Sequence, residues 1–228
     1  MTKAGVRRRG WAAALSLTGW LVFAGCQHDS YDSGTGEYSL VRGDFVEAVV
    51  DGYADVRSMV TDDGDSLALT VPFAARWITR QDTVYRAMTY YRIVDKGRAE
   101  VVSMGEVPVL VPADADKTEN MATDPLTFES MWMSRSGRYL NVAFWLKTGS
   151  VNDDNTHQTV GLVSHGVHEN TDGTRVLHLA ITHDQGGVPE YYSRKHYVSV
   201  PRSSLSGADS VRLCVPTYQG MVVKTVRL

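Results

Sequence analysis

Cys26 is the residue whose setting most directly assigns it a chemistry. It follows Phe23-Ala24-Gly25 at the end of an apolar stretch from Trp11 to Ala24, and Lys3, Arg7, Arg8 and Arg9 precede that stretch. A positive start, an apolar run of roughly 14 residues and small residues before a cleavage point are the parts of an export signal. The run is shorter than the roughly 20 residues that span a bilayer, and Ser16, Thr18 and Gly19 interrupt it. A cysteine directly after the cleaved bond offers its thiol to diacylglycerol, as in the bacterial lipobox, with Phe23 where leucine is more usual. The expected product is a chain held to a membrane through lipid on Cys26. Each acyl chain contributes about 0.8 kcal/mol per buried CH₂, and more than one makes attachment firm. Arg7-Arg8-Arg9 lacks the continuation of a twin-arginine signal and serves as an ordinary positive start.

Other residue sets invite a chemistry and do not complete it. Gly161-Leu162-Val163-Ser164-His165-Gly166 has a serine beside a histidine, but a nucleophile elbow needs glycine two positions before the serine and a helix after it. Here the glycine stands three before and the run reads as strand. His157, His165, His168, His178, His183 and His196 all fall in the second half of the chain. Metal ligation needs three or four converging on a point. His178 and His183 are an odd number of positions apart and face opposite sides of any regular strand. Solvated or hydrogen-bonded histidines are the expectation. Asp62-Asp63-Gly64-Asp65 and Asn152-Asp153-Asp154-Asn155 lack the twelve-residue order of a calcium loop and read as turns. No catalytic residue, metal or cofactor is expected. The aromatics carry more: Trp145 falls on the polar side of its strand, and Tyr191-Tyr192 lies in a loop bounded by glycine and proline. Exposed aromatics stack on sugar rings or anchor protein interfaces.

The elements that position these residues are strands. Asp51-Gly52, Asp63-Gly64, Ser136-Gly137 and Asp172-Gly173 punctuate short apolar runs, and Asp-Gly supplies the positive φ that a two-residue hairpin turn demands. Leu140, Val142, Phe144 and Leu146 share one face, and Asn141, Ala143, Trp145 and Lys147 the other. Leu177, Leu179 and Ile181 likewise oppose His178, Ala180 and Thr182. This is the period of a strand, and no window carries a long helical period. Strands are expected over 45–50, 54–60, 66–71, 85–94, 99–103, 107–111, 128–133, 139–147, 158–165, 175–183, 196–200, 211–215 and 221–227. The expected organisation is a signal over 1–25, a flexible Gly/Ser-rich tether over 26–37, a small barrel over 38–112, an acidic linker or one short helix over 113–124 and a β-sandwich over 125–228. The fold class is all-β, a small five-stranded barrel followed by an antiparallel sandwich.

Composition narrows the partners. Four of the 23 Lys+Arg lie in residues 1–25, which leaves 19 against 26 Asp+Glu and a formal charge of −7 after cleavage, beside −3 for the whole sequence. Phosphate contacts need a basic surface, so nucleic acid is excluded as a partner. Loss of the Cys26 thiol to lipid leaves Cys214 as the remaining cysteine, in the strand-like run Val211–Val215 where a small buried thiol is the ordinary occupant. No disulfide within the chain can form.

The lipobox, the tether, a barrel beginning Tyr38-Ser39-Leu40-Val41-Arg42-Gly43-Asp44, and Met131-Trp132-Met133 followed by Ser136-Gly137-Arg138-Tyr139-Leu140-Asn141-Val142 resemble the NigD-like lipoproteins of Bacteroides-type bacteria. His178-Leu179 through His183-Asp184-Gln185-Gly186-Gly187 and Tyr197-Val198-Ser199-Val200 resemble the closing part of that family's second domain. The resemblance covers most of the mature chain and rests on turns and strand starts. It implies an OB-like barrel, a C-terminal sandwich, no catalytic set and a role of the bacteriocin-immunity kind. The expectation is an outer-membrane lipoprotein, on the periplasmic face or the cell surface, that binds rather than catalyses. Its ligand is a protein or peptide in one reading. In the alternative it is a glycan, met by Trp145, Tyr191 and Tyr192.

Overall fold

The computed structural model describes residues 40–118, 121–150 and 156–228. The export signal, Cys26, the tether and the Asn152-Asp153-Asp154-Asn155 loop lie outside the described residues. The fold is all-β. Strands β1 (Arg42–Val50), β2 (Val56–Thr61), β3 (Ser66–Phe73), β4 (Thr83–Asp95) and β5 (Arg98–Glu106) close into a barrel in the order β1-β2-β3-β5-β4. Neighbours are antiparallel except the parallel pair β3/β5, the arrangement of a five-stranded OB-type barrel. Alternation decides what fills it: Val46, Ala48 and Val50 of β1 and Tyr85, Ala87 and Tyr91 of β4 are buried with Val56, Met59 and Leu67.

The second half comprises β6 (Ala113–Asp114), β7 (Thr127–Met133), β8 (Tyr139–Thr148), β9 (Thr159–Glu169), β10 (Arg175–Asp184), β11 (Tyr192–Pro201), β12 (Ser210–Thr217) and β13 (Gly220–Arg227). A five-stranded sheet, β13-β12-β10-β9-β6, faces a three-stranded sheet, β11-β8-β7. Pairing is antiparallel apart from β10/β12 and β6/β9. Leu140, Val142, Phe144 and Leu146 meet Leu162, Leu177, Leu179, Ile181, Leu213 and Val215 between the sheets, so both alternations read from the sequence are present. Cys214 is half-buried on the outer side of β12 rather than enclosed, because the core places of that strand go to Val211, Leu213 and Val215.

Three local expectations are corrected. The 113–124 segment is part of the sandwich and not a linker. Ala113 and Asp114 pair with β9, a short 3₁₀ turn follows at Ala115–Lys117, and Ala122 and Asp124 exchange backbone hydrogen bonds with His183. Acidic side chains make the segment look solvated, but its backbone supplies the pairing, and composition does not report backbone. Val107–Val111 is not a strand. Pro108 removes a donor from it, and what remains is a bridge between Val109 and Ser199. The hairpin turns are also looser than two residues at Asp63-Gly64 and Asp172-Gly173. In each, the glycine N–H closes a turn three residues back and the glycine alone is left-handed, with φ of 93° and 80°, as in three-residue loops with a glycine bulge. At Asp51-Gly52 the positive φ falls instead on Ala54, at 64°.

The barrel sits on the outer face of the three-stranded sheet. Arg86 points away from the barrel interior yet is 3 % exposed. Its guanidinium forks onto Asp62 at 2.7 and 2.6 Å, and it also reaches the Ser199 hydroxyl at 3.2 Å and Asn141 Oδ1 at 3.3 Å. The ring of Tyr139 lies 4.3 Å from its Cζ. Phe45 meets Trp132 and Tyr197 edge-on at 5.7 and 5.2 Å, and Glu47 takes Arg138 at 2.7 Å and the Tyr139 hydroxyl at 3.0 Å. Residues 37–228 accordingly form one compact unit.

Candidate functional site

Where the barrel ends, the outer face of β7, β8 and β11 continues into solvent, and Trp145 stands there at 38 % exposure. The same alternation that sends Phe144 and Leu146 inward sends it outward. Its register partners are Lys195 on β11 and Thr127 on β7. Glu129 accepts the indole N–H at 2.6 Å and pairs through its other oxygen with Lys195 Nζ. The ammonium lies 5.9 Å from the Trp145 ring and 5.2 Å from that of Tyr197, within reach of cation–π attraction. The hydrogen bond from Lys195 holds the Glu129 carboxyl below the usual carboxylate range, with the indole adding to it. The same pairing, with Tyr197, raises Lys195. At neutral pH both are charged, and the indole is fixed at its polar end.

Tyr191 and Tyr192 are exposed, but they do not join Trp145 in one platform. Tyr192 is opposite Thr148, while Trp145 is opposite Lys195. Three steps along a strand pair separate these positions, roughly 10 Å, and an odd number of steps puts them on opposite faces. Tyr191 lies beyond the strand end, with its ring over Gly149. The structure therefore places one of the three candidate aromatics in a built polar setting and leaves the other two apart from it.

Beside this face two cavities open along β11. One, of 540 Å³, lies between the barrel and β11, with Tyr90, Ser103 and Glu106 on one wall and Arg194 and Lys195 on the other. The second, of 320 Å³, enters between the two sheets and is mostly apolar, lined by Leu110, Phe144, Leu146, Val160 and Val198. His196 borders both and stacks on Phe144 at 6.1 Å. Burial lowers its pKa, with Arg194 and His183 adding to the effect, so the ring is neutral at pH 7.

The remaining sequence candidates separate as follows. Ser164 is in the body of β9, opposite Leu179, and its hydroxyl accepts the Gly166 N–H at 3.2 Å; no strand-to-helix turn follows it. His183 points inward, with Nδ1 3.1 Å from the Asp124 carbonyl oxygen, while its buried Nε2 has no partner among the described residues. His178 lies on the other face, its ring 4.3 Å from that of His168. Among the described residues no group of His, Cys, Asp or Glu is arranged to hold a metal ion. Asp62 serves Arg86 and Asp63 meets Arg135 at 3.3 Å. Sequence reasoning missed Glu129, Lys195, Arg194 and Arg86. Glu129 and Lys195 are 16 and 50 positions from Trp145, and only strand pairing brings them to it.

The model of the NigD-like C-terminal β-sandwich domain matches residues 109–227, which begins where the Val109 bridge starts the sandwich. The chain belongs to the NigD-like family. Among solved structures, a NigD-like immunity protein from Bacteroides caccae is 20 % identical with a TM-score of 0.63, covering 80 % of this chain and 91 % of that one. A protein of unknown function from Bacteroides vulgatus is 18 % identical with a TM-score of 0.61, covering 82 % and 90 %. A Bacteroides fragilis protein described as a lipoprotein is 11 % identical with a TM-score of 0.57, covering 82 % and 96 %. At these identities the likeness is one of fold, and it extends over the barrel as well as the NigD-like sandwich. A search of curated proteins finds no match. Among the described residues no helix of this NigD-like chain is long and apolar enough to cross a membrane.

Proposed function

We propose that the protein is a lipid-anchored envelope protein of the outer membrane that acts by binding, without catalysis, in the manner of an immunity protein that captures a protein or peptide. The observation that carries this reading is the exposed Trp145 indole, fixed by Glu129 and Lys195 beside the 540 Å³ crevice. Interfaces gain most from a few aromatic anchors whose orientation is settled before the partner arrives. Family membership supports the reading, and so does the immunity name borne by the Bacteroides caccae relative. The acidic mature chain, with its formal charge of −7 from 19 Lys+Arg against 26 Asp+Glu, turns nucleic acid away.

The test is a bacteriocin challenge of cells with and without the full chain. Cells carrying it survive preparations from related strains that kill the deletion strain, and Trp145→Ala loses that protection while remaining on the membrane. Equal killing with and without the chain across the preparations would sink the proposal. Glycan binding is the second reading, favoured by the exposure of Trp145 and Tyr191. An array showing hits that vanish in Trp145→Ala would select it over capture of a protein.

A further inference from the structure

β11 has one satisfied edge and one open edge. It pairs with β8 over its whole length, from Tyr192 opposite Thr148 to Pro201 opposite Tyr139. On the other side Ser199 is engaged: its N–H donates to the Pro108 carbonyl at 3.0 Å and its carbonyl accepts from Leu110 at 2.9 Å. In an antiparallel ladder, successive residues address alternate edges. Tyr197, Lys195 and Ser193 therefore turn their N–H and C=O groups the same way as Ser199. Among the described residues no strand pairs with them there.

The two cavities lie on either side of this open edge and share Pro108, His196 and Tyr197. A strand laid about 4.8 Å from β11 sends its side chains alternately to the two sides of the sheet. One row would enter the apolar cleft beside Val198 and His196, and the other the crevice against the barrel. A bare row of N–H and C=O groups at this spacing matches an extended polypeptide. Arg194 belongs by register to the inward-facing row, is exposed, and lines the 540 Å³ crevice at this edge. It has no carboxylate partner among the described residues. Lys195 and Arg194 also blunt the edge against indiscriminate pairing, since a strand that docks must bring a compensating charge.

We propose that the open edge of β11 is a β-augmentation site for an extended peptide bearing a carboxylate beside Arg194 and an aliphatic residue two positions along the strand from it, beside His196. The proposal rests on the reading of the protein as a binding module and names the chemistry of its partner. The probe is a panel of capped peptides in which threonines alternate with an aspartate and an aliphatic residue two positions apart, tested against the full chain in liposomes. Peptides of the same composition with the aspartate and the aliphatic residue adjacent serve as controls.

Alternating peptides bind, controls do not, and amide exchange at Ser193, Lys195 and Tyr197 slows at least tenfold. Ser193→Pro removes one outward N–H and takes none from the β8 ladder. It weakens binding at least tenfold with the unfolding temperature retained. Arg194→Glu transfers preference from aspartate to lysine at the charged position. No binding by any panel member, protection elsewhere, indifference to Ser193→Pro, or protection of the edge by a second copy without peptide each overturns the proposal. Peptide binding is read in liposomes and protection in cells, so failure of the peptide panel with protection retained overturns the edge alone, and equal killing with peptide binding retained overturns the proposed function alone.

Discussion

Glu129 does for Trp145 what a partner would otherwise have to do: it fixes one rotamer of a large exposed ring. Its bonds to Lys195 and to the indole keep its folded pKa below the ordinary value of 4.5. A depressed carboxyl contributes its share of stability fully above the unfolded value and loses it as pH falls through the folded one. The triad is therefore complete at neutral pH and opens only in acid. An NMR titration of the Trp145 indole N–H should show its resonance moving at a pH below 4.5. Glu129→Gln should abolish that movement and leave the unfolding temperature almost unchanged, since pairs this exposed add little to stability. A large loss of stability in Glu129→Gln would mean that the triad holds the sheet and not merely the ring.

At the scale of elements, the joint between barrel and sandwich turns on one side chain. Arg86 alternates outward on β4, as the strand period requires of a residue between Tyr85 and Ala87, and would be solvated in an isolated barrel. The face of β8 and β11 covers it, and Asp62, Ser199 and Asn141 replace its water. Removing one partner of a buried pair costs about 3–5 kcal/mol because the other is stranded. Asp62 keeps 16 % side-chain exposure, which puts Arg86→Ala near the lower end, about 3 kcal/mol. Urea unfolding followed by barrel and sandwich fluorescence should separate into two transitions in this variant, and Arg86→Met with Asp62→Leu should recover part of the loss. Coincident transitions at the original midpoint would show that the aromatic contacts of Phe45 carry the joint. The same residue shows where the sequence is legible. Strand period is enough to place Val46, Ala48, Leu140, Val142, Phe144 and the outward Trp145, because each is decided by its own strand. Burial of Arg86, pairing by the acidic 113–124 segment and the meeting of Glu129 with Lys195 depend on a second element far away in the chain, and no local pattern encodes them.

At the scale of the whole molecule, the core and the anchor are separable in chain position. The buried side chains from Val46 to Val215 lie within residues 37–228, one compact unit, whereas the proposed lipid sits on Cys26. A hydroxyl in place of the thiol cannot take the diacylglycerol, and with no acyl chain the −7 charge of the mature chain offers an anionic bilayer no attraction. Cys26→Ser should therefore move the protein from the membrane fraction to the soluble fraction, with the urea midpoint of the barrel and sandwich unchanged. It should also lose protection in the bacteriocin challenge while keeping the slowed exchange at Ser193, Lys195 and Tyr197 with alternating peptide, since that edge belongs to the folded unit. A Cys26→Ser chain that still floats with lipid would transfer the anchor to another part of the sequence. One that is released yet fully protective would show that capture does not need the membrane.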